Sequence, residues 1–337
     1  MFKKTATAIV GLLAIGYADM ASAADVEWKA SLWGKRRAFT EHLEKLSEYV
    51  SEKTDGKFKI TLYYGAALSK PRENLDVISF GAFEMAQFCA SYHPDKNPTL
   101  TVLELPMLPI NDLETQIRVD QAVYAHPAVK KDMARWNVDL LMSTPMPQYN
   151  FIGTGDAPEK LEDFDGMRVR ALGGVGKAMS EIGAVPTTVT ASEAYTAIEA
   201  GAVQAVSFAP HAHLAFKTVE VGDWYTTNLN PGTVNCPVVV NSAALEALPE
   251  EYRKVLEDAV PVAYDHYVKN YAKVYDKFYP ALDERKIERI TYSDAELKRF
   301  HEKARQPVWD AWLEDMKSKG LPGQELLDLV LATASSK

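Results

Sequence analysis

Arg170 closes the run Met167-Arg168-Val169-Arg170-Ala171, whose alternation reads as a β-strand. Successive side chains point to opposite faces, so Arg168 and Arg170 share a face, with Arg170 nearer the strand's carboxyl end. In open α/β sheets ligands bind beyond those ends. A guanidinium placed there offers a planar fork that matches a carboxylate through two parallel hydrogen bonds. Arg168, one pleat further back, reads as a solvated strand residue. The following Gly173-Gly174-Val175-Gly176-Lys177 opens a helix whose amides can face an anion. It is not a phosphate loop, because Ala171 and Ala178 stand where that motif needs Gly and Ser or Thr.

Rings and amides recur at equivalent places, each after a strand-like run or where the chain changes domain. These candidate ligand contacts are Trp33, Gln87, Tyr92 and His93, then Tyr149 and Asn150, then Phe208, His211 and Asn235. Rings would stack on a flat or apolar body and amides would fix polar substituents. Trp224 and Tyr225, which precede the return crossing near Asn235, fit either the same cluster or the core. The pattern holds one well-placed arginine and no evident second cation. That count points to a monocarboxylate with an aromatic or hydroxylated body, ahead of a four-carbon dicarboxylate.

Enzyme chemistry finds little support. His211-Ala212-His213 would put two imidazoles on one side of an extended stretch, but no His-Glu-x-x-His spacing accompanies it. There is no Gly-x-Ser-x-Gly elbow, and neither cysteine sits in a catalytic motif. The expectation is no enzyme, no metal and no cofactor.

The elements that must carry these residues alternate. Strand-like runs at 27–32, 57–63 and 82–88 enclose helical patterns at 38–54 and 71–80, and a second cycle begins at Met167. Such alternation predicts largely parallel sheets covered by helices, in two doubly wound α/β domains. A helical stretch from Glu250 to Tyr279 repeats Tyr264, Tyr267, Tyr271, Tyr275 and Phe278 at three- or four-residue intervals, with Pro261 as a kink. The C-terminal part, 294–332, is helical and broken at Gly320-Leu321-Pro322.

Lys3 and Lys4, an apolar run from Ala6 to Tyr17 and Ala21-Ser22-Ala23 read as a cleaved export signal over residues 1–23. Removing it takes away two lysines and one aspartate, so the net charge of −9 becomes −10, which argues against nucleic acid. The acidity does not exclude a small anion, which feels the local field of its cleft. Cys89 and Cys236 are the only two cysteines; bridged and free states are both open in an exported chain.

Short motifs in order along the chain resemble the solute-binding proteins of tripartite ATP-independent periplasmic (TRAP) transporters. They include Tyr64-Gly65-Ala66-Ala67-Leu68, Gly81-Ala82-Phe83-Glu84-Met85-Ala86, Leu103-Glu104-Leu105-Pro106, Asp163 to Arg170, Gly183-Ala184-Val185-Pro186, Glu193-Ala194-Tyr195 and Val239-Val240-Asn241. The resemblance implies a periplasmic binding protein-like fold with a cleft and a long domain-spanning helix. It puts the carboxylate-binding arginine at Arg170. It also implies a small organic acid as ligand, small and large permease subunits as partners, a periplasmic location and a monomer. The implied domains are 24–147 with about 236–262, and 148–235 with part of 263–337 and the spanning and C-terminal helices. Two departures stand out: Gln204-Ala205 replaces the Asp-Gly of many members, and Gln148-Tyr149-Asn150-Phe151 lies where a further arginine is often found. The second departure weighs against a dicarboxylate. A membrane-linked ligand sensor is the alternative role.

Overall fold

The computed structural model describes residues 24–336; the expected export signal lies outside the described residues. In the first lobe, β1 (Val26–Ser31) and β2 (Phe58–Tyr63) are joined by α1 (Glu41–Lys53), and α2 (Asn74–Ser79) leads to β3 (Met85–Gln87). Helix α1 buries Leu43, Leu46 and Val50, a stripe at helical spacing, against the sheet and Leu256. Pro127 separates α3 (Leu113–Ala125) from α4 (Pro127–Ala134), because a residue without an N–H starts a helix more readily than it continues one. β4 (Val138–Ser143) then leads out of this lobe.

After the crossing at 144–149 the chain builds β5 (Asn150–Gly153), β6 (Arg168–Arg170), α5 (Gly173–Ser180), β7 (Val185–Thr187), α6 (Ala194–Glu199), β8 (Ala205–Phe208), α7 (Pro210–Ala215) and β9 (Trp224–Thr226). A return crossing at 232–236 brings it back as β10 (Pro237–Asn241), followed by α8 (Ser242–Ala247) and α9 (Glu250–Glu284). β11 (Glu288–Ile290), α10 (Asp294–Ser318) and α11 (Gly323–Ser335) complete it. The first sheet has the order β2-β1-β3-β10-β4 and the second β11-β9-β5-β8-β6-β7.

Both sheets are mixed. β10 runs antiparallel to β3 and β4, and β5 antiparallel to β8 and β9, while the remaining pairs are parallel. The reason is topological: each reversed strand enters its lobe from the cleft, where the parallel strands end. The two crossings run beside each other, tied by Thr144 N–H to the Cys236 carbonyl (3.1 Å) and Tyr149 N–H to the Gly232 carbonyl (2.8 Å). Cys89, after β3, is disulfide-bonded to Cys236.

Helix α9 is a single element of 35 residues that carries Pro261 and Pro280 inside it, roughly 52 Å long at 1.5 Å per residue. Its Tyr252, Leu256 and Ala263 pack in the first lobe and its Phe278 and Leu282 in the second. Helix α10 also spans: Phe300 and Ala304 pack in the second lobe, Trp309 and Trp312 in the first. Helix α11 packs Leu326, Leu327 and Val330 into the first lobe's core, not the second. Among the described residues no helix is long and apolar enough to cross a membrane.

Candidate functional site

The carboxyl ends of β1, β3, β6 and β8 converge on the crossings and enclose a cavity of about 20 Å³, room for about one water molecule. Arg170 enters from the end of β6, buried to 1% exposure. A guanidinium carries five N–H donors. Nε donates to the Val189 carbonyl (3.1 Å) and Nη1 to the Ser207 carbonyl (3.0 Å), which fixes its plane and leaves donors for a ligand. Its carbon stands 4.4 Å from the Phe208 ring centroid.

The opposite wall holds a residue that sequence reasoning passed over. Arg37, in the loop after β1, also lines the cavity, so the expectation of a single cation fails. Its guanidinium lies 4.6 Å from the Trp33 ring, 4.4 Å from Phe39 and 5.2 Å from Phe216. Nη1 donates to the carbonyls of Lys35 (2.9 Å) and Trp33 (3.3 Å), whereas Nε and Nη2 are buried without partners among the described residues. Each buried donor left unpaired costs about 1–3 kcal/mol. In sequence Arg37 belongs to the basic run Lys35-Arg36-Arg37. The signal was Gly34: its φ of +75° and the 2.8 Å from its would-be Cβ to Arg37 Nη1 let the guanidinium fold back over the loop.

Burial pushes Arg37 down to about 10 and lowers Arg170, since desolvation disfavours the charged form. The strongest electrostatic influences opposing this are tyrosines, not carboxylates, and Arg72 adds further positive charge beside Arg170. The cavity is therefore a positively charged, desolvated space with donors to spare.

Of the expected contacts, Trp33, Tyr92, Tyr149, Phe208 and His211 line the cavity with Arg170. Four do not, and three of these put polar groups into the frame instead. Gln87 Nε2 donates to Thr144 Oγ1 (2.7 Å), and Asn150 Nδ2 to Asn230 Oδ1 (2.8 Å). Asn235 Oδ1 accepts from Tyr124 (2.9 Å), and its N–H donates to Glu104 (3.0 Å). His93 stands edge-on to Phe88 and is not among the lining residues. Sequence reasoning also missed Phe39, Phe216, Met146 and the disulfide wall of Cys89 and Cys236. The two imidazoles do not share a side, because 211 and 213 lie on α7, where residues two apart diverge by about 200°. His211 bonds Tyr271 (2.7 Å), and His213 bonds Thr218 (2.7 Å) and the Asn150 carbonyl (3.2 Å).

The lobes touch across this cavity. Trp33 from the first faces Phe216 from the second at 6.2 Å and 13°, and Phe39 faces His211 at 5.6 Å and 17°. Ala191 N–H donates to the Tyr92 hydroxyl (2.9 Å), and Arg72 donates to the Thr188 carbonyl. A larger hollow of about 510 Å³, lined by Ser91, Glu104, Gly173, Lys177 and Trp312, includes neither guanidinium among its lining residues. The anion at the start of α5 is the chain's own: Glu104 accepts from Ser91 Oγ (2.6 Å) and two backbone amides. Burial still raises it to about 7. We therefore place the site in the smaller cavity.

The family model described as bacterial extracellular solute-binding protein, family 7, matches residues 30–315. The chain belongs to this family. The C4-dicarboxylate-binding periplasmic protein DctP of Rhodobacter capsulatus is 26% identical over 225 residues, 66% of each chain. A TRAP periplasmic solute-binding protein from Desulfovibrio salexigens, solved with orotic acid, superposes with a TM-score of 0.82 at 19% identity, over 92% of this chain and 98% of that one. Another from Bordetella bronchiseptica, solved with (R)- and (S)-mandelate, gives 0.80 at 20% identity, over 92% and 98%. The family-7 chain is thus a TRAP-type solute-binding protein of two α/β domains and not an enzyme, and its family is one of periplasmic binding proteins.

Proposed function

We propose that this protein, exported through the signal at residues 1–23, captures an organic carboxylate with a flat or apolar body in the periplasm. It closes its lobes on the ligand and delivers it to the small and large membrane subunits of a TRAP permease. The observation that carries the reading is Arg170: buried, held in plane by two carbonyls and aimed into a ring-lined cavity between the lobes. The relatives named above carry a dicarboxylate in one name and ring-bearing acids in two titles, so they have the carboxylate in common and differ in the body.

Capture needs motion. A cavity of about 20 Å³ admits an organic acid only with its walls apart. Reclosure around the carboxylate would strengthen each polar contact by excluding water. Ligand would then stabilise the closed arrangement, the form a permease can distinguish.

A thermal-shift screen of organic acids tests this. A ligand at 100 times its dissociation constant stabilises by about 2.7 kcal/mol, and Arg170→Gln should abolish the shift. Stabilisation by uncharged sugars alone, or unchanged affinity in the variant, would overturn the reading.

A further inference from the structure

We propose that Arg37 is a second anion receptor and that the ligand carries two acidic groups, one for each lobe; this deepens the reading of Arg170 given above and rests on it. Three observations converge. Nε and Nη2 of Arg37 are buried donors without acceptors among the described residues, at the wall of the same cavity that Arg170 lines. The cations belong to different lobes: Arg37 follows β1 of the first sheet, and Arg170 ends β6 of the second. Tyr149 lines the same cavity and feels the field of both, and among the described residues its hydroxyl meets only the Met146 sulfur, at 3.5 Å.

Charge makes the argument one of closure. Bringing the lobes together places two guanidiniums against one small space with no acidic side chain among its lining residues. A single carboxylate on Arg170 would leave Arg37 closed in without a counter-charge; a second acidic group offers Nε and Nη2 the acceptors they lack. The ring pairs limit what lies between. Trp33 and Phe216 are nearly parallel at 6.2 Å, from opposite lobes. Two stacking distances of about 3.5 Å sum to roughly 7 Å, so parting them by a small amount admits one planar ring. The chemical class is a compact diacid, with a flat ring accommodated between its acidic ends. The further arginine absent near Gln148 is thus replaced from the other lobe, by a residue of a different element.

The test is calorimetric titration of the full chain with matched pairs: isophthalate and terephthalate against benzoate, and succinate and glutarate against butyrate. At least one diacid should bind roughly 10- to 100-fold more tightly than its monoacid. Arg37→Gln should remove that difference, and Arg37→Lys should restore part of it. Arg170→Gln should weaken both kinds of acid. If wild type binds monoacids as tightly as diacids, or if no diacid in the panel binds, or if Arg37→Gln preserves the difference, Arg37 is not a second receptor. If neither diacids nor monoacids bind at all, the carboxylate reading itself fails. The melting temperature without ligand separates receptor from scaffold: a receptor predicts that Arg37→Gln melts at or above the wild-type temperature, whereas a cation serving only to hold Trp33, Phe39 and Phe216 predicts a loss.

Discussion

At the scale of single residues, the site separates two arginines that look alike in sequence. Arg168 Nε and Nη2 donate to the carbonyls of Ala202 and Gly201, both at 2.9 Å, at the exposed start of β6. Arg170, two residues on, is sealed inside. Arg168→Ala should leave ligand affinity within about twofold, as expected for an exposed side chain. Trp33→Ala should weaken aromatic acids by up to about tenfold, the scale of one aromatic pair, and aliphatic acids by less. Equal losses for both in titration would mean that Trp33 shapes the wall and does not stack on the ligand.

Elements set where those residues stand. The return crossing is pinned to the exit of β3 by Cys89–Cys236, cysteines 147 residues apart in sequence. Closing a loop of that length removes about 5 kcal/mol of chain entropy from the unfolded state in the loop-closure account. The double variant Cys89→Ser and Cys236→Ser should therefore melt at a clearly lower temperature. Both cysteines also line the cavity, so ligand affinity should fall with it; retention of both stability and affinity would show that the crossing holds its place unaided. The start of α5 is fixed by close approach: a Cβ on Gly174 would stand 1.8 Å from the Glu104 carbonyl oxygen. Substitution by Ala there should displace α5 and, through Leu172, the wall next to Arg170.

For the whole molecule, closure and pH are the accessible readouts. The inter-lobe contacts of Trp33, Phe39, Tyr92 and Arg72 describe a shut cleft. Saturating ligand should lower the radius of gyration in solution scattering, and an unchanged radius would argue against hinged capture. Burial holds His42 and His213 at about 3 and His93 at about 4, with His211 well below its ordinary value. A folded value below the unfolded one, about 6.5, means that the stability is complete above that pH and is lost as pH falls toward 4. The melting temperature should drop over that window, and His93→Gln should make the drop shallower.

Much of this was legible in the chain. Alternation and helical stripes are local, so β1, β2, β4, α1 and the 35-residue helix could be read directly. Arg170's place at the end of its strand could be read from Met167 to Ala171, whereas its expected role as carboxylate receptor came from the family resemblance. The short strands β7, β9 and β11 were not legible: they exist by pairing with distant partners, and unlike β3 and β6 they do not lie inside runs read as strands. Nor could sequence decide which polar side chains reach the cavity. Gln87, Asn150 and Asn235 stand at the right ends but bond Thr144, Asn230 and Tyr124 in the frame. The cysteine pairing and the inward turn of Arg37 were likewise tertiary decisions. Cys89 meets Cys236 only once β10 lies antiparallel to β3. A basic run after a strand reads as solvated until a glycine fold and three rings from both lobes close around one of its members. Local pattern determines which faces are buried, whereas long-range pairing determines which charges are buried together.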